Sequence, residues 1–207
     1  MNYVRFVDIQ RVTDRKEEFL AILTRDETTH YLSLNPKRRA FEWLAGRLAA
    51  KLLIQERTGQ NLSAIEIETI KSGRKKGRPY FKEWFLSISH SNGVAGAAIS
   101  KTPVGLDIEL VSLRTHMEQI AFSPDEVERL NSLDSQQRAQ TSTRRWTELE
   151  AIAKYKGTGL RVPFNELTRP QETSLEQGTL SVNGSAHCWT VVRGYDSNKA
   201  GEKQAYD

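Results

Sequence analysis

The sequence predicts a globular protein that mixes helices with short strands, and two observations predict it. Apolar residues recur at spacings of three and four over residues 36–57 (Phe41, Leu44, Ala45, Leu48, Leu52), and residues 136–156 read as the longest helix. Residues 85–91, 94–99 and 104–109 instead read as strands. At 207 residues the chain is long enough for one large or two small domains with a real core. Its 38% hydrophobic and 27% charged residues describe an ordinary folded domain rather than a disordered tail.

Composition also excludes classes of function. No run approaches the roughly 20 apolar residues needed to cross a bilayer, and Met1-Asn2-Tyr3-Val4-Arg5-Phe6 lacks the apolar region of a signal peptide. The expectation is a cytoplasmic protein without a membrane partner. The single cysteine, Cys188, rules out an internal disulfide or a cysteine-rich zinc site. A net charge of +4 points to an anionic partner without naming it.

Taken in order, residues 3–9 alternate as an opening strand with Val4, Phe6 and Ile9 inward, and residues 15–33 make one or two short helices. Asn35-Pro36 marks a boundary. The helix that follows carries Lys37, Arg38, Arg39, Arg47 and Lys51 on its other faces. These are either a solvated surface or phosphate contacts, the second because Gly46 beside Arg47 leaves room for a ligand. After Thr58-Gly59-Gln60-Asn61, Ile65, Ile67 and Ile70 read as a strand. The most basic stretch runs from Lys71 through Arg74, Lys75 and Lys76 to Arg78; with glycines at 73 and 77 it is either a hairpin tip or a phosphate-gripping loop. Residues 85–91 and 94–99 form a hairpin whose turn displays Ser89, His90 and Ser91.

The most informative strand is Val104-Gly105-Leu106-Asp107-Ile108-Glu109. Side chains alternate along a strand, so Asp107 and Glu109 leave on one face and Leu106 and Ile108 on the other. The carboxylates either meet water or hold a hard divalent cation such as Mg2+, which prefers carboxylate oxygens. Residues 111–120 form a loop or short helix, and Ser123-Pro124-Asp125-Glu126 starts another. In the long helix that ends at Gly157, Trp146, Glu150 and Lys154 are spaced by four and share a face. Residues 161–193 read as strands and turns, with turns at Glu176-Gln177-Gly178 and Asn183-Gly184. The last dozen residues are expected to be disordered.

Four blocks together resemble the Sfp-like 4′-phosphopantetheinyl transferases. They are Ala45-Gly46-Arg47; Gly77-Arg78-Pro79 with Ser87-Ile88-Ser89-His90-Ser91; Gly105-Leu106-Asp107-Ile108-Glu109; and the segment from Trp146 through Glu150 to Lys154 with Gly157-Thr158-Gly159-Leu160. The resemblance spans roughly residues 35–160 and implies an α+β fold with pseudo-twofold symmetry, two similar α/β halves in one chain. Residues 1–103 would form the half carrying the phosphate-binding elements and residues 104–195 the half carrying the metal and catalytic residues, with 196–207 a polar tail. The implied activity is transfer of the phosphopantetheine arm of coenzyme A to a serine of an acyl or peptidyl carrier protein, releasing 3′,5′-ADP. By the same likeness Asp107, Glu109 and Glu150 would hold Mg2+, Glu150 would also take the serine proton, and Lys154 would neutralise phosphate. Ser89, His90, Lys76 and Arg78 would bind the nucleotide end, with Arg39 and Arg47 as further phosphate contacts.

The chemistry of the residues agrees with that likeness. Phosphoryl transfer needs position and charge neutralisation more than covalent help, and a basic rim suits an acidic carrier protein. The resemblance also implies a monomer, since two halves supply the interface that shorter members of that family obtain by trimerising. Two departures stand out. The family has lysine where this chain has Leu149, and restoring it is expected to leave activity equal or higher. The residues after Gly194-Tyr195 are too polar for the usual final strand. These departures motivate a rival reading, a non-catalytic relative that binds coenzyme A or a carrier. A metal-dependent nuclease using Asp107, Glu109, Glu150 and Lys154 is disfavoured, because no aromatic residues interleave with the basic loop for base stacking; nucleic acid is not an expected partner.

Overall fold

The computed structural model describes residues 2–73, 76–159 and 162–195. Arg74, Lys75, Leu160, Arg161 and the tail expected at 196–207 lie outside them. Strand β1 (Val4–Asp8) leads into helices α1 (Ile9–Asp14), α2 (Lys16–Leu20), α3 (Arg25–Ser33) and α4 (Lys37–Thr58). Then come β2 (Glu68–Thr69), β3 (Pro79–Phe81), β4 (Trp84–Ser91) and β5 (Val94–Ser100). The remainder is β6 (Val104–Leu110), α5 (Thr115–Ala121), α6 (Pro124–Asn131), α7 (Ser135–Lys156), β7 (Thr173–Val182) and β8 (Ser185–Gly194). The fold is α+β. A five-stranded antiparallel sheet of order β1-β5-β4-β3-β2 and a three-stranded one of order β6-β8-β7 each pack beneath a 22-residue helix, α4 and α7 respectively.

Local chemistry explains the helix ends. α6 begins at the foreseen start, and its N-cap is a capping box in which Ser123 accepts from the Glu126 N–H and the Glu126 carboxylate accepts from the Ser123 N–H. α7 starts where the Asp134 side chain accepts from the Gln137 N–H at 2.8 Å, and it stops at Gly157, whose φ of +71° suits a residue without a side chain.

Several expectations are corrected. Ile9 opens α1 rather than ending a strand, because Asp8 caps a helix there through the Gln10 N–H. Ile65 and Ile67 are buried, yet the strand after them is only Glu68–Thr69; their alternate burial reflects packing beneath α4, not a ladder. Ser89, His90 and Ser91 belong to β4, and the turn is Asn92-Gly93. Gly178 lies inside β7, where the indole of Trp189 covers it; an added Cβ would sit 2.6 Å from Trp189 Cζ2. Gly46 makes room for Ile88 rather than a ligand, since its Cβ would lie 2.6 Å from Ile88 Cγ2.

The two sheets meet where β6 lies along β4. No backbone ladder joins these strands; serine hydroxyls do the work. The Leu106 N–H donates to Ser87 Oγ at 2.9 Å and the Leu110 N–H to Ser91 Oγ at 3.0 Å. An apolar cluster closes the seam from both halves, with Val94 and Ala98 against Val104, Leu106, Ile108 and Val191. Arg78 bridges it as well, donating to Tyr155 O at 3.3 Å and Val104 O at 3.0 Å.

Helix α7 approaches β6 so closely that Gly105 has no room for a side chain: an added Cβ would lie 2.0 Å from Ala151 O and 2.5 Å from Tyr155 N. Those atoms are backbone and cannot swing aside. Gly105→Ala is therefore expected to destabilise the fold by at least about 2 kcal/mol. Chemical denaturation monitored by circular dichroism measures this, and an unchanged midpoint would refute the close approach.

Candidate functional site

β6 carries Asp107 and Glu109 on the face that meets β4, as the strand alternation requires. Asp107 is buried, with only 5% of its side chain exposed, and Lys154 Nζ from α7 donates to its Oδ1 at 2.7 Å. Ser89 Oγ donates to the same oxygen at 2.9 Å and accepts from Lys154 Nζ at 3.0 Å. Three elements, β4, β6 and α7, thus converge on one carboxylate oxygen. Its other oxygen, Oδ2, is buried and has no hydrogen-bond partner among the described residues. Burial pushes the Asp107 carboxyl above its usual range even though Lys154 opposes the shift.

Glu109 sits one strand pitch further along. Its Oε2 accepts from Ser91 Oγ at 3.2 Å and from Arg114 Nη2 at 2.7 Å. Glu150 stands one helical turn before Lys154 on α7, half-buried. Burial raises its carboxyl to about 6, and the negative charge of Asp107, then that of Glu109, adds to the rise. The three carboxylates therefore lie within electrostatic reach of one another. Although Glu150 and Lys154 share a helix face, Lys154 pairs across the seam with Asp107. Trp146, on the same helical stripe, packs on Phe164 with ring centroids 4.6 Å apart.

Among the described residues, no three histidine, cysteine, aspartate or glutamate side chains form a ready-made metal cage. The donors nevertheless suit a hard cation. They are all carboxylate oxygens, and Asp107 keeps a buried oxygen with no partner, which a cation would satisfy.

The remaining predicted residues are dispersed. Arg47 is buried with its Nε 3.7 Å from Glu27 Oε1 and its guanidinium over the Trp43 ring, so the expected phosphate contact gives way to an internal ion pair. Arg39 is exposed in the first turn of α4, and Lys76 is exposed in the turn before β3. Arg78 is committed to two carbonyls, but it also borders a cavity of about 250 Å³ lined by Ile70, Tyr80, Trp84 and Phe85. His90 leaves β4 on the face opposite Ser89, with Nδ1 3.7 Å from Glu42 Oε2. Ser89 joins the carboxylates instead of standing with His90.

Sequence reasoning missed Ser91 and Arg114. A signal for Ser91 was available: Ser89 and Ser91 repeat at the same period of two as Asp107 and Glu109, 18 residues later in each case. Arg114 had none, since its approach to Glu109 depends on how the chain turns after β6.

Comparisons with known proteins bear on this geometry. The family model for the 4′-phosphopantetheinyl transferase superfamily matches residues 103–205. A protein of Synechocystis sp. named as a 4′-phosphopantetheinyl transferase is 27% identical over 112 residues, 52% of this chain and 45% of its own length. A holo-[acyl-carrier-protein] synthase of Streptococcus mutans is 30% identical over 99 residues, 44% of this chain and 82% of its own. The chain therefore spans less than half of the first relative and about four-fifths of the second. A crystal structure of a holo-(acyl-carrier-protein) synthase from Bacillus anthracis in complex with CoA (3′,5′-ADP) shares 27% identity at a TM-score of 0.40, covering 46% of this chain and 90% of that one.

Leu149, where lysine was expected to be tolerated, is fully buried in the core beneath α7 with Ile152, Leu130 and Val192. A lysine there would bring an unpaired charge into an apolar cluster. Leu149→Lys is expected to destabilise the fold by about 3 kcal/mol and to lower Tm by roughly 6–12 °C, measured by thermal denaturation. A native Tm would show that the site opens to water.

Proposed function

The chain belongs to the 4′-phosphopantetheinyl transferase superfamily, and from that premise we propose that it transfers the phosphopantetheine arm of coenzyme A to a serine of an acyl or peptidyl carrier protein, releasing 3′,5′-ADP. The observation that carries this reading is the convergence of Ser89, Asp107 and Lys154 where β4, β6 and α7 meet, with Glu109 one strand pitch along β6 and Glu150 one helical turn before Lys154. Two carboxylates of β6 each meet a cation there, Asp107 with Lys154 and Glu109 with Arg114, at the boundary between two sheets.

Asp107, Glu109 and Glu150 are the proposed ligands of Mg2+, which when bound would neutralise diphosphate charge and orient the leaving nucleotide. The chain's own groups account for the rest. Lys154, anchored by Ser89 and Asp107, supplies a fixed positive charge to the transferring phosphate. The Glu150 carboxylate makes no hydrogen bond among the described residues, and, raised to about 6 mainly by burial, it is suited to receive a proton near neutral pH. The serine oxygen of the carrier attacks the phosphorus that bears the pantetheine. The bond from that phosphorus to the departing 3′,5′-ADP breaks, and the serine proton passes to the Glu150 carboxylate. The cavity beside Arg78, with Lys76 at its turn, is the proposed seat of the nucleotide end; Arg39 and His90 are further candidates for the outlying phosphate.

The test is incubation with coenzyme A, Mg2+ and a panel of apo carrier proteins, read by mass spectrometry. Wild-type protein is expected to add the arm and liberate 3′,5′-ADP. Glu150→Gln and Asp107→Ala are expected to lose at least about 100-fold in rate while keeping a native circular dichroism spectrum. Chelation with EDTA should stop the reaction and added Mg2+ should restore it. Full activity in either variant would overturn the assignment of these residues.

A further inference from the structure

Asp107 and Glu109 are held in the same way, one strand pitch apart. In each, a single oxygen takes a hydroxyl from β4 and a cation from the second half. For Asp107 Oδ1 the pair is Ser89 and Lys154; for Glu109 Oε2 it is Ser91 and Arg114. The partner oxygen of each carboxylate, Asp107 Oδ2 and Glu109 Oε1, makes no hydrogen bond among the described residues. We propose that Ser91 and Arg114 are positioning residues for Glu109, fixing one carboxylate oxygen so that the other is offered to a divalent cation. The inference rests on the metal reading above and extends it to residues outside the proposed ligand set.

Arg114 is itself braced. Its Nε donates to Ser112 Oγ at 3.0 Å, and Ser112 is tied to α7 because its N–H donates to Thr143 Oγ1 at 3.3 Å. Thr143 is buried. The orientation of Glu109 is thus referred back to the helix that carries Glu150 and Lys154, so all three proposed ligands share one frame. Stability is a poor explanation for the pair. Arg114 and Glu109 keep 30% and 22% of their side chains exposed, and ion pairs open to water contribute only about 0–1 kcal/mol. Groups that orient a metal ligand, by contrast, typically change metal affinity about 10- to 100-fold when removed.

The sign of the effect separates orientation from bystander charge. A cation that merely sits near the site repels Mg2+, so its removal tightens metal binding; a group that orients a ligand weakens binding when lost. The experiment is Mn2+ titration of the full chain, with coenzyme A present, followed by electron paramagnetic resonance. Arg114→Gln is expected to weaken Mn2+ binding about 10-fold with little change in Tm, Arg114→Lys to recover part of the loss, and Ser91→Ala to weaken it independently. Affinity that is unchanged or tighter in both Arg114→Gln and Ser91→Ala overturns the inference. If wild-type protein transfers the arm under those conditions, the proposed function survives that result. If wild-type protein neither binds Mn2+ nor transfers the arm, both fail together.

Discussion

A buried carboxylate in the middle of a chain needs partners, and the partners chosen for Asp107 organise much of this structure. Removing its charge from water is costly unless hydrogen bonds and an opposite charge replace the solvent. Ser89 and Lys154 replace it, and they come from β4 and α7. Satisfying one side chain therefore fixes a strand of the first half and a helix of the second against β6. The replacement is incomplete by one oxygen, because Oδ2 remains buried without a partner among the described residues. A fold that strands an acceptor there without function would be carrying an uncompensated cost.

The seam around that group is built to hold its geometry. Two β6 N–H groups donate to serine hydroxyls of β4 where a backbone ladder would otherwise run. Hydroxyls can donate and accept at once, so Ser91 takes the Leu110 N–H while giving its own proton to Glu109. Ser89 likewise gives a proton to Asp107 and takes one from Lys154. The alternating serines thus serve both as the joint between two sheets and as supports for the carboxylates. Glycine completes the joint: at Gly105 a side chain would strike the α7 backbone.

The geometry also divides residues that the family resemblance groups as phosphate contacts. Lys154 and Ser89 join the carboxylates. Arg47 is drawn into the first half by the buried carboxylate of Glu27, and Arg78 bridges the halves through two carbonyls. A cation's part in such a site depends on which acceptors lie within its reach, and a motif does not state that. Leu149 illustrates the converse. Set against the family it reads as a missing charge, yet its side chain lies in the core beneath α7.

How far the sequence alone reached can be traced residue by residue. Local periodicity and capping revealed α4 and α7 with their ends and the start of α6, because a helix start is written in neighbours such as Ser123 and Glu126 and its stop in a glycine such as Gly157. The period of two in β6 placed Asp107 and Glu109 on one face, since alternation belongs to any strand. The pairing of Lys154 with Asp107 instead of Glu150, the burial of Arg47, the place of Ser91 in a strand and the reach of Arg114 to Glu109 were decided only by the tertiary structure. Each depends on which side chains from distant parts of the chain come within a few ångströms, and short-range pattern holds no information about that distance.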